Sequence, residues 1–299
     1  MPKPRSSARG VALLVFVNVC WGLSFIFSKT ALSEGMPAMT LAFVRYLITA
    51  VLMAPLCLRR EGTLRLGRHW KRGFVSAMLG TTVYYFFEYS GLERTTASAA
   101  SLIIALVPMM TLLCRVLVQR GRVSPLRWAL VALSLAGVWL VIRADMQGGA
   151  GSLAGNLFMI GACLCWTGYL MVMPPLAAAC SSLRVTTWQA VAAAFTLLPF
   201  ALAERGQWVP LSPVAWLCVF LLAAVCSALC YLLYNAAMRE VDALTVALSI
   251  NINPITACVA GALLLGESLS GVQLAGGALI LLSVLADAVL GAHAGENGA

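Results

Sequence analysis

The stretch Gly10-Val11-Ala12-Leu13-Leu14-Val15-Phe16-Val17-Asn18-Val19-Cys20-Trp21-Gly22-Leu23-Ser24-Phe25-Ile26-Phe27-Ser28-Lys29-Thr30-Ala31-Leu32 carries one charge, Lys29, near its end. About 20 apolar residues in a helix cross the hydrocarbon core of a bilayer. Lys3, Arg5 and Arg9 precede the run, as in a secretory signal. It is too long for one and no small-residue cleavage site follows, so it reads as a retained first helix. Apolar runs of similar length recur to the end of the chain. They predict helices near 10–31, 38–58, 73–91, 95–118, 124–143, 153–173, 185–203, 212–236, 242–265 and 271–291, with short connections. The fold class expected is an all-α integral membrane protein of ten transmembrane helices.

Composition agrees. Of 299 residues, 61% are apolar and 10% charged, against about 25% charged in a typical soluble domain. Mean hydropathy is +0.92. A soluble enzyme, a disordered chain and a secreted disulfide scaffold are excluded, and the expected partner of most of the surface is the lipid bilayer. The net charge of +9 requires no nucleic acid, because cytoplasmic loops of membrane proteins collect Lys and Arg. Arg59, Arg60, Arg65, Arg68, Lys71 and Arg72 lie between helices 2 and 3, and Arg120 and Arg122 between helices 4 and 5. With Lys3, Arg5 and Arg9 they place both termini in the cytoplasm of a bacterial-type inner membrane.

Nine of the 10 Cys lie inside apolar runs and behave as small hydrophobes. Cys163-Leu164-Cys165 has the wrong spacing for a zinc pair, and the His residues, His69 and His293, lie outside the spans. No metal site is assigned. Walker, nucleophile-elbow, zinc-protease and kinase patterns are absent, so no catalytic residue and no cofactor is assigned, and the chain is expected not to be an enzyme.

The chain divides in two. Cys20-Trp21 recurs as Cys165-Trp166, Arg45 and Pro55 as Gln189 and Pro199, Tyr85 and Pro108 as Tyr231 and Pro254, at offsets of 144 to 146 residues. Two units result, 10–143 and 153–291, joined by Asp145-Met146-Gln147-Gly148-Gly149-Ala150-Gly151-Ser152. Five helices in each is an odd number, so the halves cross the membrane in opposite senses. That is the inverted repeat of many secondary transporters.

Inside the spans a short set of residues could carry function. Pro108 and Pro254 free the carbonyls of Ile104 and Ile250 and predict kinked or broken helices lining a substrate path. Asn251 and Asn253 either bond that opened backbone or contact substrate. Arg45 and Glu88 fall in the outer half. They form an ion pair, or else Arg45 holds a substrate carboxylate and Glu88 carries a proton. Lys29 sits at the outer end of helix 1, within reach of the interface. Trp21 and Trp166 lie too deep for interfacial anchors, and Tyr85 and Tyr231 head aromatic faces. The expected cavity is lined by helices 1, 3, 4, 6, 8 and 9. A small-molecule substrate follows, with uptake as an alternative to export. A membrane enzyme would need clustered His or acidic residues, and a scaffold would not need paired prolines. The oligomeric state is left open.

These residues spell a wider pattern. Trp21-Gly22-Leu23-Ser24-Phe25 with Lys29, Phe43-Val44-Arg45-Tyr46, and Gly91-Leu92-Glu93-Arg94-Thr95-Thr96-Ala97-Ser98-Ala99-Ala100 leading to Pro108 come first. Gly266-Glu267-Ser268-Leu269-Ser270-Gly271-Val272-Gln273 with Gly276 completes it. The whole resembles the EamA-type drug/metabolite transporter superfamily. The resemblance implies two inverted repeats around a central cavity, alternating access, and ATP-independent export or exchange of small metabolites such as amino acids. Lys29, Arg45, Pro108, Pro254 and Glu267 match family motif positions. The first repeat departs from the pattern, with Gly121 and Arg127 where the family carries Glu and Gln. That acidic position is read as a helix-end structural element.

Overall fold

The computed structural model describes residues 7–119, 124–149, 151–237, 240–241 and 249–296. Among them the chain is helical with no strand. The first half holds α1 (Ala8–Ser33), α2 (Ala38–Glu61), α3 (Trp70–Ala77), α4 (Val83–Leu92), α5 (Ala97–Ile104), α6 (Val107–Gln119) and α7 (Pro125–Gln147). The second holds α8 (Leu153–Ala179), α9 (Ser182–Ala203), α10 (Pro213–Leu221), α11 (Cys230–Ala237), α12 (Ile252–Leu264) and α13 (Gly271–Glu296). Eight described segments are long and apolar enough to cross a membrane, and Ile252–Leu264 is a shorter apolar helix. Lys3, Arg5, Arg120 and Arg122, the Gly121 departure and the expected start of helix 9 at 242–248 lie outside the described residues.

Two expected helices contain π-turns. Met78–Thr82 joins α3 to α4, with the Val83 N–H donating to Met78 O. Leu222–Leu229 joins α10 to α11, with the Cys230 N–H donating to Val225 O. Each bond spans five residues instead of the four of an α-turn. Two others break where proline was expected to act. Helix 4 is interrupted at Ala105 and Leu106, so Pro108 falls in the first turn of α6, where its missing N–H leaves no bond unmade. The described part of helix 9 turns at Ile250 and Asn251 before α12 starts. There the Ile250 carbonyl accepts from the Asn253 N–H at 3.1 Å. Pro174 and Pro175, in contrast, do not end α8, which runs on to Ala179.

The halves interlock. α7 packs on α13, α2 on α9 and α5 on α12. α4 packs on α8 as the α10–α11 rod packs on α1, and α8 packs on α5 and α6 as α1 packs on α12. Each of these pairings maps onto itself or onto another of them when the halves are exchanged. At the α7–α13 seam a Cβ on Gly137 would lie 2.6 Å from the Gly276 carbonyl oxygen, and one on Gly276 would lie 2.6 Å from that of Gly137. Only glycine permits that backbone approach. Burial runs opposite to a soluble protein. Leu263 is 78% exposed and Phe195 74%, whereas Asn18, Ser76, Thr81, Gln189 and Ser227 are buried. Apolar groups face outward where lipid is the solvent, and polar groups pair inside.

Candidate functional site

Acidic side chains locate the site by elimination. Glu204, at the end of α9, accepts from the Met39 and Thr40 N–H groups at 3.1 and 2.7 Å, at the start of α2. Glu267 accepts from the Ala97 and Ser98 N–H groups at 2.7 and 2.9 Å, at the start of α5. Glu34 takes the Ser212 N–H at 2.9 Å before α10, and Ser7, which caps α1, donates its hydroxyl to Glu240 at 2.8 Å. Glu61 bonds the Ser181 hydroxyl and pairs with Arg184 at 2.8 Å, at the start of α9. Asp145 accepts from Thr95 and Asn156, and Asp287 pairs with Arg127 at 2.9 Å. Helix N-termini present unpaired N–H groups and the positive end of the dipole, so a carboxylate there is structural. Glu267 fills in the second half the helix-end role read for the acidic position that Gly121 occupies in the first. Lys29 does the converse, donating to Leu92 O and Thr95 O at 2.5 and 2.7 Å at the C-terminal end of α4. It is a cap and does not reach out to the interface.

Glu88 caps no helix. It is 4% exposed within α4, one turn after Tyr84. Arg45 is 3% exposed within α2. Among the described residues the two form no ion pair within 4.0 Å, so the paired reading fails. Arg45 instead donates Nε–H to Ser227 Oγ at 2.8 Å and an Nη1–H to Tyr89 Oη at 2.8 Å. Its guanidinium lies 4.7 Å from the Tyr85 ring centre, where the ring quadrupole attracts a cation. Hydroxyls and aromatic faces, not a carboxylate, hold this charge.

Aromatic rings extend from that point. Tyr85 packs on Tyr46, Tyr84 and Tyr89 at 5.4, 4.9 and 4.9 Å. Tyr84 leads through Trp166, at 5.2 Å, to Tyr169, a further 4.8 Å on. On the other side Trp21 packs on Tyr231 and Tyr234 at 5.5 and 5.2 Å. A narrow cleft runs beside them, lined by Tyr46, Thr49, Gly80, Thr81, Tyr169, Thr186, Gln189, Ala190, Ser227 and Tyr231. Its walls come from α2, α8, α9, α11 and both π-turns, that is, helices 2, 3, 6, 7 and 8. Of the helices expected to line a cavity, 3, 6 and 8 line this cleft and 1, 4 and 9 do not. Helices 2 and 7 contribute because the α2–α9 contact crosses between the halves.

The structure thus gathers Trp21, Arg45, Tyr85, Glu88, Trp166 and Tyr231, and places Tyr231 on the cleft wall. Pro108, Asn251, Asn253 and Pro254 stay at the two helix breaks, away from that wall. Asn251 is buried at the cap position of α12 without capping it through its side chain. Asn253 Oδ1 is buried with no hydrogen-bond partner among the described residues. The breaks are tied to helices 1 and 6. Asn18 donates to Ser249 Oγ at 3.2 Å, and at the equivalent place Cys163 donates to Ile103 O at 3.3 Å. Thr49, Gly80, Thr81, Tyr169, Thr186, Gln189, Ala190 and Ser227 are the cleft residues missed in the sequence, and Tyr46 entered there only within a family motif. Gln189 was visible there only as the partner position of Arg45.

The EamA-like transporter family model matches residues 8–143 and again 153–286. The chain belongs to the EamA-like transporter family. An EamA-like transporter is a multi-pass membrane protein, and the two matches are its two repeats. Curated relatives are named as transporters. An uncharacterized transporter of Archaeoglobus fulgidus is 27% identical, covering 81% of this chain and 84% of its own. A probable amino-acid metabolite efflux pump of Salmonella typhimurium is 26% identical, covering 90% and 91%. The S-adenosylmethionine/S-adenosylhomocysteine transporter of Chlamydia trachomatis is 27% identical, covering 85% and 82%. One solved crystal structure shares the fold with a TM-score of 0.64 at 20% identity, covering 96% of this EamA-like chain and 98% of the other.

Proposed function

We propose that this protein exports small metabolites, amino-acid-like or other amphiphilic solutes, across the inner membrane by alternating access. It does so as a secondary active transporter or facilitator. In this reading ten spans form two inverted five-helix repeats, 10–143 and 153–291, with both termini cytoplasmic. The observation that carries it is Arg45, a buried cation in mid-bundle held by two hydroxyls and an aromatic face, with no carboxylate within 4.0 Å among the described residues. A buried charge is costly, and structural ones are paired. Arg45 retains the capacity to receive an anionic substrate group, while Tyr46, Tyr169, Tyr231 and Gln189 offer the aromatic faces and hydrogen bonds an amphiphilic solute needs. Trp21, Tyr85 and Trp166 back those faces. Pro108, Pro254, Asn251 and Asn253 supply breaks in helices that must move. Glu88, the buried carboxylate that serves no helix end, carries the coupled proton.

The test is reconstitution into liposomes with a panel of labelled amino acids and S-adenosylmethionine, with and without a pH gradient. Outward flux of at least one solute, accelerated by the gradient, is the expected result. Folded protein that moves no solute would overturn the reading, and equal inward flux would replace export by uptake or exchange.

A further inference from the structure

Three side chains of the first half converge on the second π-turn. Trp21 Nε1–H donates to Cys226 O at 3.0 Å. Thr49 Oγ1 reaches Ala223 O at 3.2 Å while sharing its proton with Arg45 O at 2.8 Å. Arg45 Nε–H donates to Ser227 Oγ at 2.8 Å. The first π-turn is held differently. There Ala77 O accepts from the Thr81 hydroxyl of the same segment. The second half reaches that region through side chains alone, from Gln189 to Ser76 at 2.9 Å and between Thr196 and Thr82 at 2.7 Å.

We propose that Trp21 and Thr49 are positioning residues for transport, holding the Leu222–Leu229 π-turn in its widened register so that Ser227 meets Arg45 and Tyr231 lines the cleft. A π-turn contains one residue more than the α-turn it replaces. Relaxation to α geometry advances every later residue by one position, a rotation of about 100° at 3.6 residues per turn. That rotation withdraws Tyr231 from the cleft and parts Ser227 from Arg45. It also turns Cys226 and Cys230 out of the seam with α1, where Cys226 now donates to Cys20 O at 3.3 Å. The widened register survives because its carbonyls find donors on the opposite half. One segment therefore links the two halves, the buried cation and the cleft wall.

The native thiols report the register without a transported solute. Full-length protein in liposomes is treated with N-ethylmaleimide, and each cysteine is quantified by mass spectrometry. Cys226, Cys57 and Cys163 are all fully buried, and Cys57 and Cys163 lie in α2 and α8, remote from the turn. Trp21→Phe keeps the ring against Tyr231 and Tyr234 but removes the donor, and Thr49→Val removes the hydroxyl. In each, labelling of Cys226 is expected to rise about tenfold, equivalent to about 1.4 kcal/mol, with Cys57 and Cys163 unchanged. Thr49→Ser is expected to restore protection. Unchanged Cys226 labelling in both variants overturns the proposal, and so does a parallel rise at Cys57 and Cys163, which marks general loosening. Failure here is distinct from failure of the export reading, which needs flux.

Discussion

In the first half a cation and a carboxylate, Arg45 and Glu88, occupy positions that hold Gln189 and Tyr234 in the second. The surroundings match far better than the residues do. α2 meets α9 at its own image, and both helix 3 and helix 8 widen into a π-turn beside the cleft. Arg45 reaches across to Ser227 at 2.8 Å, and Gln189 reaches back to Ser76 at 2.9 Å. Duplication has thus kept both side chains reaching into the opposite half while leaving the two charges in the first. In the proposed transport reading, a symmetric frame with asymmetric charge gives a solute one electrostatic anchor instead of two competing ones.

Removing the asymmetry is the most disruptive test. Arg45→Gln makes the two positions alike and leaves Tyr89 and Ser227 as neutral hydroxyls that need no counter-charge. Flux in liposomes is expected to fall about 100-fold, roughly 2.7 kcal/mol of barrier, with the folded yield kept. Gln189→Ala is expected to cost far less. Breaking the shared frame instead of the charge comes next. Gly137→Val forces a side chain against the Gly276 carbonyl and is expected to destabilise by about 2 kcal/mol, seen as a lower thermal midpoint in detergent. Gly271→Val, where a Cβ meets nothing within 4 Å, serves as the neutral comparison. Glu88→Gln is expected to abolish acceleration by a pH gradient, about a tenfold loss, while gradient-independent flux persists. Tyr234→Phe at the matching position is expected to keep the acceleration. If both variants behave alike, the asymmetry has no role in coupling.

The smallest effect concerns a helix end that joins the halves. The Ser212 hydroxyl and N–H hold the Glu34 carboxylate below its ordinary value of 4.5. A depressed value means stabilisation that is complete above pH 4.5 and fades as the pH falls through the lower folded value. Glu34 is solvent-exposed, so screening keeps the contribution slight. A small acid-side drop in the thermal midpoint is expected for the native chain and is expected to be slightly smaller in Glu34→Gln.

Much of this architecture was legible in the sequence, for physical reasons. Lipid imposes long apolar runs, so the helices announce themselves, and Pro108 and Pro254 mark breaks because proline cannot donate. The π-turns left no such trace. One added residue inside an already apolar helix does not alter composition, and Gly80-Thr81-Thr82 reads as ordinary small-residue packing. The partners of Arg45 were equally hidden, since Ser227 lies 182 residues away and a hydroxyl carries no charge to suggest the match. Glu88 looked like the natural partner because charge is visible in sequence and distance is not. The carboxylate caps were concealed for the same reason. Glu204 serves a helix start that precedes it by 164 residues, a pairing that only the interlocked halves create.

The glycine contact between α7 and α13 bears on how such a molecule can move. Where Gly137 and Gly276 meet, backbone touches backbone, with no side chains between them to repack. Sliding there would drive carbonyl oxygens into neighbouring main chain, whereas tilting about the contact leaves it intact. In the alternating access proposed above, the seam is the fulcrum, and the displacement it permits grows with distance toward α2, α9 and the two π-turns.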